Sequence, residues 1–354
     1  MALRPPPISG WTVDEVVKRL ARSSPDVWDA MPEETGSLNG ISLSRNPPSS
    51  AGDLDKLSSE SLFLIMESLD FQSLCSFMAA SFRTKELVES MVPYQDLLKS
   101  ASSTLIVLGK ANLAGHHKVR DLHSALLSEG CVSCRRFGAF VFLPTCERAC
   151  LSCLHRNMRF WVLSVKEAQD AYGIPQKEAQ QLPGMMSLPV ERRRGRRRKL
   201  VSVRLARDLG LKIHGSQQKM TSWVMQSGKM KSQLNLYSWW AEAGEKLLDW
   251  NTDDPLTPPM SSYFGFASIR FPHLYRDQTV DPGYWCEGCR FWRQQISELS
   301  NYSHAMDYIC ATPEDEKELA RRHNEELREW SRSGLREHVL TCPGAQELAS
   351  RSED

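Results

Sequence analysis

The stretch that decides the fold is Cys131-Val132-Ser133-Cys134, followed by Cys146-Glu147-Arg148-Ala149-Cys150-Leu151-Ser152-Cys153. A Cys-x2-Cys pair can set two thiolates on one ion through a tight knuckle. Two such pairs make a closed tetrahedral site of four thiolates, the donor set of structural zinc. Fifteen residues separate Cys134 from Cys150, within the range used by zinc ribbons. Phe137, Phe140, Phe142 and Leu143 lie between the pairs and can build a hairpin. Cys150 and Cys153 then stand at the entry to the next helix, whose N-terminal dipole favours deprotonated thiols. The expected ligands are Cys131, Cys134, Cys150 and Cys153, with Cys146 either replacing Cys150 or standing free beside the site. The alternative is a group of buried thiols packed without metal.

A second set is split along the chain. Cys286-Glu287-Gly288-Cys289 is a knuckle, with Gly288 expected to ease its turn. Downstream, His338 and Cys342 stand one helical turn apart on one face. Together they would give three thiolates and one imidazole, a second closed zinc site. The 48 intervening residues read as a loop and a long helix, from Thr312-Pro313-Glu314-Asp315 to about Arg332. Cys310, His304 and His323 are rival ligands. Four protein ligands at each site leave no open position for water, so zinc catalysis is disfavoured.

The rest of the chain suits these staples. It has 354 residues, 41% hydrophobic and 25% charged, which matches ordinary globular proteins of about two domains. No run of about 18 apolar residues marks a membrane span, and Met1 to Pro7 lacks the apolar stretch of a signal peptide. A cytoplasmic or nuclear, reducing location is expected, so the 10 cysteines need a reason other than disulfides. No phosphate-binding glycine loop, His-Glu-x-x-His, Gly-x-Ser-x-Gly or dinucleotide fingerprint occurs.

Ahead of the cysteines, Leu57, Leu62, Ile65, Met66 and Leu69 recur at helical spacing, followed by Leu74, Phe77, Met78 and Phe82 and by Leu87, Val88, Met91, Tyr94 and Leu97. They predict three or four short amphipathic helices with tight connections. Further helices are expected over 102–114, over 118–129 with Gly130 as its cap, and over 158–172. Thr12-Val13-Asp14-Glu15 reads as a capping box opening a short helix, and proline, glycine and serine then mark a linker. Arg192 to Lys199 is a basic run without interleaved aromatics, so stacking on single strands is unsupported. It is a candidate nuclear signal, or else a solvated loop.

Leu57-Ser58-Ser59-Glu60-Ser61-Leu62, with Ile65, Leu69-Asp70, Leu74, Phe77 and Ser81-Phe82-Arg83, resembles an F-box, with Ser58 where proline is usual. The order of an F-box, the first cysteine group, Ala168 to Gly173, and then Cys286, Cys289, His338 and Cys342 is similar to a broad family of F-box proteins in filamentous fungi. The resemblance covers about residues 53–345. It implies a non-catalytic adaptor that docks on a Skp-type protein, joins a cullin–RING ubiquitin ligase and recruits an unidentified protein substrate. The candidate adaptor contacts are Leu57, Leu62, Ile65, Leu69 and Leu74, with Phe77 and Phe82 assigned mainly to the internal core. The expected fold is mainly α with small β elements. It comprises a mostly flexible segment 1–52, an F-box-like helical module 53–99, a zinc-stapled helical and α+β domain 100–345 and a disordered tail 346–354. The competing reading is a zinc-dependent nuclear DNA-binding regulator using residues 192–199, although nucleic acid is not the expected partner of a chain with net charge +1. A RING-type scaffold is disfavoured, because the next close cysteine pair after Cys153 is Cys286/Cys289.

Overall fold

The computed structural model describes residues 7–23, 50–187, 197–227, 263, 265–300, 321–322 and 324–351. Most of the expected linker beyond Ser23, most of the basic run, the helix start at Thr312 and the rival ligands Cys310, His304 and His323 lie outside these residues.

Helix α1 (Val13–Leu20) opens on the expected capping box of Thr12 and Glu15 and runs into the short strand β1 (Ala21–Arg22). The helical module follows as α2 (Ser59–Ser68), α3 (Phe71–Ala80), α4 (Phe82–Glu89) and α5 (Val92–Lys110). Short polar residues punctuate it. Ser58, Asp70 and Ser81 each accept a hydrogen bond from the backbone N–H three residues on, which satisfies a donor the helix leaves open. Pro93 enters the first turn of α5, where a missing N–H costs nothing. Helix α5 absorbs the helix expected over 102–114, with a kink at Ala101. Helix α6 (Val119–Leu127) ends before Gly130, which does not cap it but pairs with Phe137 across the first knuckle.

Among the described residues, the remainder mixes helices with four small antiparallel sheets. Strands β2 (Phe140–Phe142) and β3 (Glu147–Ala149) form the expected hairpin, followed by α7 (Leu151–Arg156). The continuous helix expected over 158–172 is instead a 3-10 turn, strand β4 (Val162–Ser164) and helix α8 (Val165–Tyr172). Trp161, Val162 and Leu163 are buried in an extended segment, and a capping box of Ser164 and Glu167 restarts the helix. Helix α9 (Gln176–Gln181), strands β5 (Gly184–Met186) and β6 (Lys199–Ser202) and helices α10 (Val203–His214) and α11 (Gln217–Gln226) complete this unit. Strand β7 (Ser268–Arg270) pairs with β2, while β8 (His273–Leu274) and β9 (Val280–Asp281) pair together. Strand β10 (Trp285–Cys286) leads into α12 (Glu287–Ser300), and α13 (Arg332–Val339) and α14 (Pro343–Arg351) close the described chain. The helix expected to reach Arg332 ends earlier: Trp330 pairs with Tyr284, and Ser331 caps a new helix.

Three cores result. The largest runs without a break from Leu62 through the helical module and the β2–β3 hairpin to Trp285, so packing continues across the boundary expected near residue 99. Arg148 threads it. It is almost wholly buried, and its guanidinium donates to the carbonyls of Ala125, Gly138, Phe271 and Pro272. Four acceptors offset the cost of burying that charge and tie three segments together. The second core lies under α8, α10 and α11.

The third core corrects both terminal expectations. Ile8, Val16 and Leu20 pack on Leu335, Val339, Ala345 and Ala349, and β1 pairs with β10. Residues 7–22 are therefore a docked element rather than part of a flexible segment, because the apolar face of α1 is seated on α13 and α14. Residues 346–351 are helical rather than a disordered tail, since Ala345 and Ala349 give α14 a buried stripe one turn apart.

Candidate metal centres and partner face

At the first centre, the knuckle turns back on itself. The N–H of Cys131 donates to the Arg136 carbonyl at 2.7 Å, the N–H of Arg135 donates to the Cys131 carbonyl at 2.9 Å, and Arg135 takes a positive φ of 65°. This aims Cys131 and Cys134 at the start of α7, where Cys150 is the N-cap and its Sγ accepts from the Cys153 N–H at 3.4 Å. The four sulfurs of Cys131, Cys134, Cys150 and Cys153 lie within 4.8 Å of one another. Cys146 stands apart in the turn of the β2–β3 hairpin, at φ 50°. Strand β3 separates it from Cys150, and four extended residues span about 13 Å, so both cannot reach one ion. Burial pushes the Cys146 thiol well above its ordinary pKa, which leaves it inert.

The second centre gathers residues far apart in sequence. Cys286 ends β10, Cys289 lies in the first turn of α12, His338 lies on α13, and Cys342 precedes α14. Their ligand atoms also lie within 4.8 Å of one another. Gly288 does not serve the turn by an unusual φ. It lets α12 touch α14 backbone to backbone, since a Cβ there would sit 2.2 Å from the Ala345 nitrogen, and Gly344 faces it with the same constraint. Trp330 stacks on His338 at 4.3 Å and 18° between ring planes, which fixes the imidazole with Nε2 toward Cys289. The sequence reading missed this residue; its only signal is an aromatic at a helix entry eight residues before a candidate ligand.

The donor geometry fits zinc. Zn–S bonds of 2.3 Å at tetrahedral angles place sulfurs about 3.8 Å apart. Cys134–Cys150, Cys286–Cys342 and Cys289–Cys342 measure 3.6, 3.8 and 3.7 Å. Cys289 Sγ lies 3.2 Å from His338 Nε2, somewhat closer than the roughly 3.6 Å of a tetrahedral S–Zn–N edge. These spacings are far from the roughly 2 Å of a disulfide. Charge argues the same way. Within each cluster the thiols share their protons: hydrogen bonds from the neighbouring thiols hold Cys131 and Cys342 below the ordinary range while pushing Cys150, Cys153 and Cys289 above it. A buried thiolate crowded by three other ligands calls for a cation.

The two centres share a brace. Glu329 is buried and accepts a hydrogen bond from the N–H of Leu151 beside Cys150, while its neighbour Trp330 holds His338.

The candidate partner face divides. Leu62 and Leu74 are 5% and 1% exposed and belong to the module's own core, and Leu69 is half-buried. Leu62 and Leu74 are corrected from contacts to core, because α2 turns Leu62 and Met66 inward and α3 turns Leu74 and Met78 inward, while Leu69 keeps part of its surface free. Leu57 and Ile65 are exposed at 41% and 46%, joined by Leu64 at 67%, which the sequence reading did not select. Phe77 and Phe82 are half-buried, Phe77 against the core as expected.

Residues 54–96 match the F-box domain. F-box domains in general bind the Skp-type adaptor of SCF ubiquitin ligases, and proteins that carry them generally serve as substrate-recognition subunits. No curated protein and no solved structure matches the chain. Among the described residues, no helix is long and apolar enough to cross a membrane.

Proposed function

We propose that this chain is a non-catalytic, substrate-recruiting subunit of an SCF-type ubiquitin ligase, with two structural zinc ions fastening its recognition region. The observation that carries the reading is the F-box at residues 54–96 with its apolar side chains turned outward. Leu57, Leu64 and Ile65 are large exposed apolar groups on or beside one helix, the pattern of a helix face that seats a partner. Cys131, Cys134, Cys150 and Cys153 hold one ion, and Cys286, Cys289, His338 and Cys342 the other. Bound zinc supplies cross-linking here rather than chemistry, because each ion has four protein ligands.

The test is co-purification of the full chain with a Skp-type adaptor and a cullin. Leu64→Asp/Ile65→Asp should weaken adaptor binding about a hundredfold or more while leaving thermal unfolding unchanged. Undiminished binding by that variant would refute the contact face, and no binding by the wild type would refute the reading. Metal analysis of the purified chain should give about two zinc ions, and a chelator should remove them and abolish cooperative unfolding of the cysteine-bearing region. Structural zinc supplies about 10–16 kcal/mol, which rivals the whole stability of a domain.

A further inference from the structure

The outward face of α2 carries charge as well as apolar surface, and Leu57, Leu64 and Ile65 account only for the apolar part. Residues 54–96 carry 3 Lys and Arg against 7 Asp and Glu, a net charge of −4. Five of these acids are engaged within the protein. Asp55 and Glu86 reach Arg83, Glu89 reaches Lys85, Asp70 caps α3, and Asp96 meets the His123 ring. A sixth, Glu60, lies in the first turn of α2, where the helix macrodipole favours a carboxylate.

Glu67 is the exception. It sits in the last turn of α2, which holds no basic residue and where the macrodipole opposes negative charge. Half-buried, it has no hydrogen-bond or ion-pair partner among the described residues. It lines an open cleft of about 170 Å³ together with Phe63 from its own helix and Ser90, Met91, Val92 and Pro93 from the junction of α4 and α5. The walls are therefore mainly apolar, and Val92 is 62% exposed. That volume lies below the roughly 300 Å³ at which small-molecule pockets begin, and suits a single side chain. Glu67 stands three residues from Leu64 and four from Phe63, so on the helix surface it joins the cleft to the exposed Leu64.

Given the adaptor-binding role proposed above, on which this reading rests, we infer that the cleft seats a Lys or Arg side chain of the Skp-type adaptor. Its aliphatic stem lies on Phe63, Met91, Val92 and Pro93, and its cationic head meets the Glu67 carboxylate. The chemistry of the walls selects this occupant. A purely apolar side chain would cover Glu67 and leave its charge without water or partner. An acidic one would add repulsion to a module that is already net negative. A long cation satisfies both surfaces, because Lys and Arg lay their methylene stems along apolar surface and keep the charged head at a polar edge. It also brings to the end of α2 the positive charge that the helix lacks there.

The experiment titrates a Skp-type adaptor onto the full zinc-loaded chain at low and high salt, beside thermal unfolding of the chain alone. Glu67→Gln should weaken binding about threefold to tenfold and flatten its salt dependence, and Glu67→Lys should weaken it about tenfold or more. Both substitutions relieve the clash with the macrodipole, so thermal unfolding should stay unchanged or rise, whereas a merely structural Glu67 would lose stability along with affinity. A charge swap identifies the occupant. With the adaptor's Lys and Arg residues changed to Glu one at a time, one such variant should bind the wild-type chain poorly and recover with Glu67→Lys. Unchanged affinity in both Glu67 variants, tighter binding by Glu67→Lys, or the absence of any rescuing swap overturns the inference. Binding that survives in both Glu67 variants but is lost in Leu64→Asp/Ile65→Asp leaves the adaptor role standing without the cleft, and no binding by the wild type removes both.

Discussion

The two candidate metal centres, one of four thiols and one of three thiols and an imidazole, differ in how the chain reaches them. The first closes within 23 residues, around a hairpin that supplies its own apolar filling in Phe140, Val141 and Phe142. The second spans 57 residues and is walled by α1 from the opposite end of the sequence. Loop-closure entropy alone separates them by under about 1 kcal/mol, because that cost grows only with the logarithm of length. The larger difference is dependence. The first centre needs its own segment and the single carboxylate of Glu329, whereas the second needs α1, β1, Trp330 and the Gly288–Gly344 contact all in place.

The largest expected effect sharpens that asymmetry. Cys289→Ser should leave about one zinc per chain, with the first centre still loaded. Cys150→Ser should remove the first ion and also loosen the second, because it disturbs the α7 entry on which Glu329 rests. Cys146→Ser should keep both ions, since that sulfur lies outside the cluster. Zinc content and chelator release rates check all three. Equal losses from Cys289→Ser and Cys150→Ser would erase the distinction.

A middle-sized effect tests the wall. Leu20 is 2% exposed against Leu335 and Val339. Leu20→Ala should cost about 2–5 kcal/mol, expressed at the second centre as faster zinc release, with the first centre unmoved. Release from both at equal rates would show that the two behave as one unit.

The smallest effect belongs to the first region. His117 is buried with its ring on the backbone of Leu143, and burial lowers its pKa to about 4. The folded state thus favours the neutral ring. Stability is full above the unfolded value of about 6.5 and falls as pH drops toward 4, by up to about 3 kcal/mol. His117→Asn should flatten that slope between pH 6.5 and 5.5 in excess zinc, measured by denaturant unfolding. An unchanged slope would assign the acid weakness to the metal ligands alone.

Both ligand sets could be read before the fold because cysteine spacing is a local geometric statement: two residues between cysteines is the width of a metal knuckle. The four-helix run was also legible, since Ser58, Asp70 and Ser81 mark its boundaries chemically. Periodicity could not separate Leu62 from Leu64. Both lie on a short helix with an apolar residue at most positions, and only packing decides which way it turns. The break at Trp161–Leu163 was hidden for a similar reason, as a buried strand and a buried helical turn share the same composition. The seating of α1 against α13 and α14 has no local signature at all, because its two halves stand more than three hundred residues apart.

That seating has a consequence during synthesis. A ribosome adds about 5–20 residues each second, so Leu20 emerges roughly 15–60 s before Leu335 and Val339 exist to cover it. The first cysteine quartet, by contrast, is complete while translation continues. The greasy face of α1 must wait, unshielded, until α13 and α14 have been made, so a product truncated before them would expose it as a hydrophobic handle for chaperones and proteases.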